Sequence, residues 1–366
     1  MQPIPPAVVA HPVTDRPAIE DPRAAAVQTY LRNLLITPVL VIVLAGAVWL
    51  LFTVVDLRTE ALQVVLGLLL LLVVLLLGML IRYGPVMRGS RDLMRAERWR
   101  PVPVTVLGVT ARHFLVEADG ACLRFPEVRG RVAHRVAQRT GRLWLVGPSS
   151  AGAVVAMLDG FGVPLSGRRV ERPAGLTPPA AESFGSAGVA GDDPLVAAWA
   201  EMSSRAVRYR VWPHLGAFAF VALLFLGAWL TQGAETIFGV VCLVAVVAFF
   251  PIQLRRHNAA KRRYQPWTRL PELLRAGPWQ PVGISLAPWQ PGRDGHANAH
   301  GVIRLVNGTD LNIQLRDANL DLVGNIQQVQ GLWIAGDPVP GKLFAVGYPG
   351  FPILGLATFE PGMRPV

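Results

Sequence analysis

Residues 143–157 read LWLVGPSSAGAVVAM, and residues 332–346 read LWIAGDPVPGKLFAV. The echo is one part of a longer match. RYGP (82–85) and RAERWRPV (95–102) return as RYQP (263–266) and RAGPWQPV (275–282), so that Trp99 answers Trp279 and Trp144 answers Trp333 at offsets of 180 and 189 residues. A period of that length is a duplicated unit, and each copy must solve the same folding problem.

Inside each copy the apolar residues alternate with period two, the signature of strands. Val102, Val104 and Val106 alternate in PVPVTVL. Asp119-Gly120 lies between two apolar runs in the first copy, and Asn307-Gly308 lies at the matching place in the second. Both dipeptides favour the two-residue hairpin turn that needs positive φ. The quoted stretch reads as a further hairpin, which brings the total to about five strands per copy. That is enough for a small antiparallel barrel or curled sheet, with Trp99 and Trp279 expected to plug its end. VRGRVAHRVAQRTG (128–141) is expected to form a short amphipathic helix, and the shorter LVGNIQQVQG marks this element as diverged in the second copy.

Four apolar segments without a charge, 34–55, 61–81, 215–230 and 237–254, have lengths near the ~20 residues of a membrane-crossing helix. With 52% hydrophobic residues overall, they predict an integral membrane protein. Arginines crowd one side of the segments: Arg82, Arg88 and Arg91 follow the second, Arg205, Arg208 and Arg210 precede the third, and Arg255 and Arg256 follow the fourth. Only Arg58 lies in the two short connections. This bias predicts a multi-pass plasma-membrane protein with both termini and both β domains cytoplasmic. It also explains most of the formal net charge of +11 and makes nucleic acid an unexpected partner.

The fold expected is therefore an α+β membrane protein of four transmembrane helices arranged as two helical hairpins, each followed by a small barrel-like domain. The boundaries expected are a disordered tail over 1–33, hairpin 1 over 34–81, β domain 1 over 82–165, a flexible linker over 166–194, hairpin 2 over 195–254 and β domain 2 over 255–366. The linker rests on Pro, Gly, Ala and Ser enrichment without periodicity.

Chemistry is sparse. GDPVPGKL (336–343) imitates a phosphate loop, but Leu343 replaces the hydroxyl residue, and Pro338 and Pro340 lack the N–H groups that cradle phosphate. His296 and His300 have i, i+4 spacing without a third ligand beside them. Asn307-Gly308-Thr309 spells a glycosylation acceptor that reads as a turn. Two cysteines, Cys122 and Cys242, exclude a disulfide framework. No catalytic, metal or cofactor residue is nominated, and no cofactor is expected.

Charge is distributed unequally between the copies: residues 101–165 carry a net +3 and residues 280–360 a net −2. Two consequences are expected with equal weight. Either the two β domains pack together, helped by opposite charge, or the basic copy faces anionic lipid headgroups. Arg124, Arg129, Arg131, Arg135 and Arg139 are the candidate lipid or partner contacts.

With two lysines among 35 basic residues, the chain has the composition of a high-GC genome. In overall plan it resembles uncharacterised multi-pass membrane proteins of high-GC Gram-positive bacteria. That resemblance implies a plasma-membrane location and transfers no site residue. The function expected is a non-enzymatic scaffold or regulatory protein that binds a protein partner, a second copy of itself or anionic lipid through paired β domains. The alternative is a transporter or channel component with a pore between the hairpins.

Overall fold

The structure is a computed structural model, and it describes residues 8–21, 90–110, 112–127, 132–180, 188–207, 237–290, 296–305, 308–337 and 339–359, together with Gly46 and Gly292. The chain divides into two compact units, one formed by Met1–Leu31, Pro85–Ser204 and Arg269–Val366, the other by Arg32–Gly84 and Arg205–Thr268.

The first unit holds two closed six-stranded antiparallel barrels. Barrel 1 comprises β1 (Arg100–Val109), β2 (His113–Ala118), β3 (Ala121–Pro126), β4 (Arg142–Val146), β5 (Ala153–Met157) and β6 (Leu165–Val170), in the order β1-β2-β3-β6-β5-β4. Barrel 2 repeats this order with β7 (Trp279–Leu286), β8 (His296–Arg304), β9 (Asp310–Asn319), β10 (Gly331–Ala335), β11 (Leu343–Gly347) and β12 (Leu354–Phe359). Asp119 and Gly120 take φ values of 49° and 71° at the β2–β3 turn, as a two-residue hairpin requires. Helix α1 (Ala133–Thr140) enters between β3 and β4, and helix α2 (Leu320–Val329) enters between β9 and β10. The diverged sequence of the second copy also forms a helix: Asn319 caps it by accepting a hydrogen bond from the Asp321 N–H, and Leu322, Val323 and Ile326 are buried.

The sixth strand corrects the expected linker over 166–194. LSGRRV looks like loop because Gly167 interrupts it. That glycine is required by packing, because a Cβ there would stand 2.5 Å from the Phe125 ring. β6 therefore lies between β3 and β5 and closes the barrel.

The four-helix membrane plan is corrected as well. Among the described residues the fold consists of two β-barrels with few helices, and no helix there is long and apolar enough to cross a membrane. The segments 34–55, 61–81 and 215–230 lie outside the described residues, Gly46 aside. The fourth, 237–254, is no element of its own. It belongs to a helix over Ile237–Tyr264 that contains Pro251 and ends on Lys261, Arg262 and Arg263. Nor does apolar content demand a bilayer in the barrels. β4 and β5 bury both faces, with Leu143 and Leu145 alternating with Trp144 and Val146, all at most 7% exposed, so LWLV is apolar without a break. The multi-pass plasma-membrane location and the cytoplasmic placement fall with that plan.

Trp99 does not plug a barrel end. It packs on the outer face of the β4–β5 hairpin with Ala18, Met94, Trp144, Val146, Val155 and Met157, and its indole N–H donates to the Ala18 carbonyl. The 3-10 turn Ala18–Glu20 that covers this face is duplicated too. AIEDP (18–22) returns as AGDDP (190–194). Ala18 N–H donates to the Glu97 carbonyl at 2.9 Å, and Ala190 N–H donates to the Gly277 carbonyl at 3.0 Å.

Candidate functional site

The two barrels meet through their helices and the turns that follow β5 and β11. On α2, Asn325 is fully buried, and its side-chain NH2 donates to the Gly160 carbonyl at 2.5 Å and to the Asp321 carbonyl at 2.6 Å. Asp321 accepts the Gly162 N–H at 2.7 Å. In the reverse direction Arg139 on α1 donates to the Gly350 carbonyl at 2.9 Å. Gly160-Phe161 and Gly350-Phe351 occupy matching turns, so each helix reaches the turn of the opposite barrel.

Arg139 is neutralised where it crosses. Its guanidinium forms a two-pronged pair with Asp193, at 2.8 and 3.0 Å. Burial pushes the Asp193 carboxyl up, yet the bonds from Arg139 and from the Val196 and Leu195 N–H groups outweigh it and hold the pKa below the ordinary value. The same carboxylate starts the helix over 194–207 by accepting the Leu195 and Val196 N–H groups.

A strand-like strap, Val8–Val13, lies along this junction. Ala10 N–H donates to Asn325 Oδ1 at 2.7 Å, Gly160 N–H donates to the Ala10 carbonyl at 3.2 Å, and Gln328 Nε2 donates to the His11 carbonyl at 2.9 Å. Gly160 is a glycine for steric reasons: with φ at +75°, a Cβ would collide with Ile353 Cδ1 and lie 3.2 Å from Val9 Cβ.

His11 then enters a cluster with Arg142, Trp144 and Asp159 of barrel 1. Its ring centroid stands 5.4 Å from that of Trp144, Nδ1 is 3.2 Å from Asp159 Oδ1, and Nε2 is 3.3 Å from Arg142 Nη2. Nδ1 makes no hydrogen bond there, so that contact is electrostatic. Asp159, 1% exposed, also accepts from Arg142 Nε at 2.8 Å and from the Trp144 indole at 2.7 Å. Burial raises its pKa, but His11, Arg142 and Trp144 beside the carboxylate outweigh burial and lower it. In the second copy Gly331 and Pro349 stand in place of Arg142 and Asp159, and Tyr348 donates to the Gly331 carbonyl instead. The cluster is specific to barrel 1.

A cavity of about 530 Å³ opens outside barrel 1, lined among others by Leu107, Glu117, Cys122, Arg169 and Arg172. Arg172 bridges to Glu117 at 3.2 Å across it. Burial pushes the Cys122 thiol up, with Arg172 opposing and Glu117 adding to the shift, so at neutral pH it is a protonated, weak nucleophile.

Arg124 is exposed on β3, Arg135 is half-buried on α1, and Arg139 is turned inward to Asp193 and Gly350. Arg129 and Arg131 lie outside the described residues. His296 and His300 fall on β8, where four residues span roughly 13 Å, too far to share one ion. GDPVPGKL belongs to the β10–β11 connection, where Lys342 N–H donates to the Val339 carbonyl. Among the described residues no group of three His, Cys, Asp or Glu side chains is placed to hold a metal.

No protein-family model, no curated protein and no solved structure matches the chain.

Proposed function

We propose that the chain is a non-enzymatic regulatory or scaffold protein that binds a protein partner through its joined β-barrels. One observation carries this reading. In the His11, Arg142 and Asp159 cluster each ionisable group is occupied by another: Asp159 takes donors from Arg142 and Trp144, and both ring nitrogens of His11 stand against charged neighbours. A general base needs a free lone pair within reach of a substrate proton, and His11 keeps none. The cluster is built as a clasp, and its product is a fixed surface spanning both barrels. Anionic lipid is the weaker partner, because Arg139, one of the arginines that would meet it, is consumed by Asp193. The transporter reading depended on helical hairpins and does not stand with them.

The test is site-specific photo-crosslinking in the native cell from exposed Gln327 on α2, beside the junction. A discrete protein adduct is expected from this position. Crosslinking no stronger than from exposed Val339, at the β10–β11 connection, would overturn the reading.

A further inference from the structure

We propose that the junction groove is a peptide-recognition site, built to read a short extended segment of the pattern small residue, His, Pro, and occupied in cis by Val9–Pro12 of this chain. The inference rests on the partner-binding reading above and names the chemical class of one ligand.

Its basis is the way the strap is held. The side chains of α2 and the turn after β5 address the strap's main chain: one N–H and two carbonyls, at Ala10 and His11, are each met by a dedicated partner. Asn325 is pre-set for this role. Its NH2 is fixed by the Gly160 and Asp321 carbonyls, so the amide can turn only Oδ1 to the Ala10 N–H. Main-chain reading of this kind gives affinity for any extended segment, and a side-chain pocket then gives selectivity. The pocket is the His11 recess between Trp144, Arg142 and Asp159, which suits a flat ring bearing N–H groups. Val9 and Ala10, 4% and 2% exposed, fill the space that Gly160 leaves open.

The duplication supplies an internal comparison. Counting back from the left-handed caps Gly141 and Gln330, the α1 residue in the place of Asn325 is Val136, which has no amide to offer. Of the two helices, only α2 has the reading amide at this place. On the other side Arg139 joins the two barrels through the Gly350 carbonyl without an amide at this place. The strap is also built to part. Thr14, Asp15 and Arg16 are exposed beyond it, and Val13 N–H has already turned to Asp21 Oδ2 at 3.0 Å. Tethered so closely, it holds the groove by effective concentration, which a competing segment in trans has to exceed.

The experiment uses the full chain and a fluorescent peptide of sequence VVAHPV. A protease site replacing Thr14–Arg16 is cut without removing anything else. Expected is that uncut wild type does not take up the peptide, while the cut chain does, and that a VVPHPV peptide, whose third-position N–H is gone, binds at least about tenfold more weakly. Should cutting unfold the chain, an uncut Ala10→Pro variant serves in its place: its weakened strap should admit the VVAHPV peptide in trans. Equal uptake of both peptides, or no uptake by a cut or Ala10→Pro chain that retains a cooperative unfolding transition, overturns the proposal. A Gln327 adduct accompanied by no peptide uptake would remove this inference alone, whereas uptake without any adduct would remove the protein-partner reading and leave the groove.

Discussion

Arg139 and Asn325, on the helices of different copies, each bond the carbonyl of a glycine in the other copy's turn, Gly350 and Gly160. The exchange is reciprocal but chemically unequal. Asn325 is neutral and saturated by its own bonds, whereas Arg139 brings a charge into the interior and needs Asp193 beside it. Breaking a buried pair costs more than the pair contributes, because the remaining charge stays behind without its partner. Arg139→Met is therefore expected to destabilise the first unit by about 3–5 kcal/mol. The double variant Arg139→Met, Asp193→Asn should lose less than the sum of the two single changes. Denaturant unfolding of all three variants measures this coupling; strict additivity would mean that the two groups act independently.

Gly160 and Gly120 separate backbone strain from packing. Both have positive φ, +75° and +71°, but only at Gly160 would a Cβ meet neighbouring atoms. Gly120→Ala should cost about 1 kcal/mol, the left-handed penalty alone. Gly160→Ala adds overpacking against Ile353 and Val9 and should cost about 2–4 kcal/mol in total. Equal losses in the two variants would show that the strap does not press on the turn.

What could be read in the sequence follows the range of the forces. The Asp119-Gly120 turn, the alternation in β1 and the echo of β4 and β5 are local, and each forms where its residues predict it. β6 was hidden because Gly167 answers to Phe125, more than forty residues earlier in the chain. The site was hidden for a stronger reason: His11 lies in a proline-rich stretch that reads as disordered, and its partners Arg142, Trp144 and Asp159 have no local relation to it. One signal was available. The repetition of AIEDP as AGDDP places residues 18–22 inside the duplicated unit and argues against a free tail. The apolar segments misled at the level of fold class, since period and length describe a segment and not the two-faced burial of β4 and β5 that also consumes apolar residues.

Acid should weaken the junction. The folded-state pKa values of Asp159 and Asp193 lie below their ordinary value, with bonds to the carboxylates outweighing burial. Groups shifted in this direction bind fewer protons folded than unfolded. Their contribution is present above the unfolded pKa of about 4 and is lost as pH falls through the lower, folded value. Unfolding free energy should thus be insensitive to these groups at pH 6–8 and decline below about pH 4. Asp159→Asn and Asp193→Asn variants, less stable at neutral pH, should show a shallower decline. A variant with the wild-type slope would clear its carboxylate of any part in acid unfolding.

Cys122 reports on the cavity outside barrel 1 without any added probe. It is 8% exposed beside Leu107 and Leu115, and burial raises its pKa. Alkylation requires the thiolate, so both access and ionisation slow the reaction. At pH 8 a small haloacetamide should modify Cys122 at least about tenfold more slowly than a free thiol of ordinary pKa, about 8.5. The rate should continue to climb with pH beyond the point where the free thiol levels off. Peptide-resolved mass spectrometry distinguishes Cys122 from Cys242, the other cysteine of the chain. A rate equal to that of the free thiol, levelling at the same pH, would mean that Leu176, which packs against Leu107, Leu115 and Cys122, does not cover the thiol, and the cavity would then be an open surface.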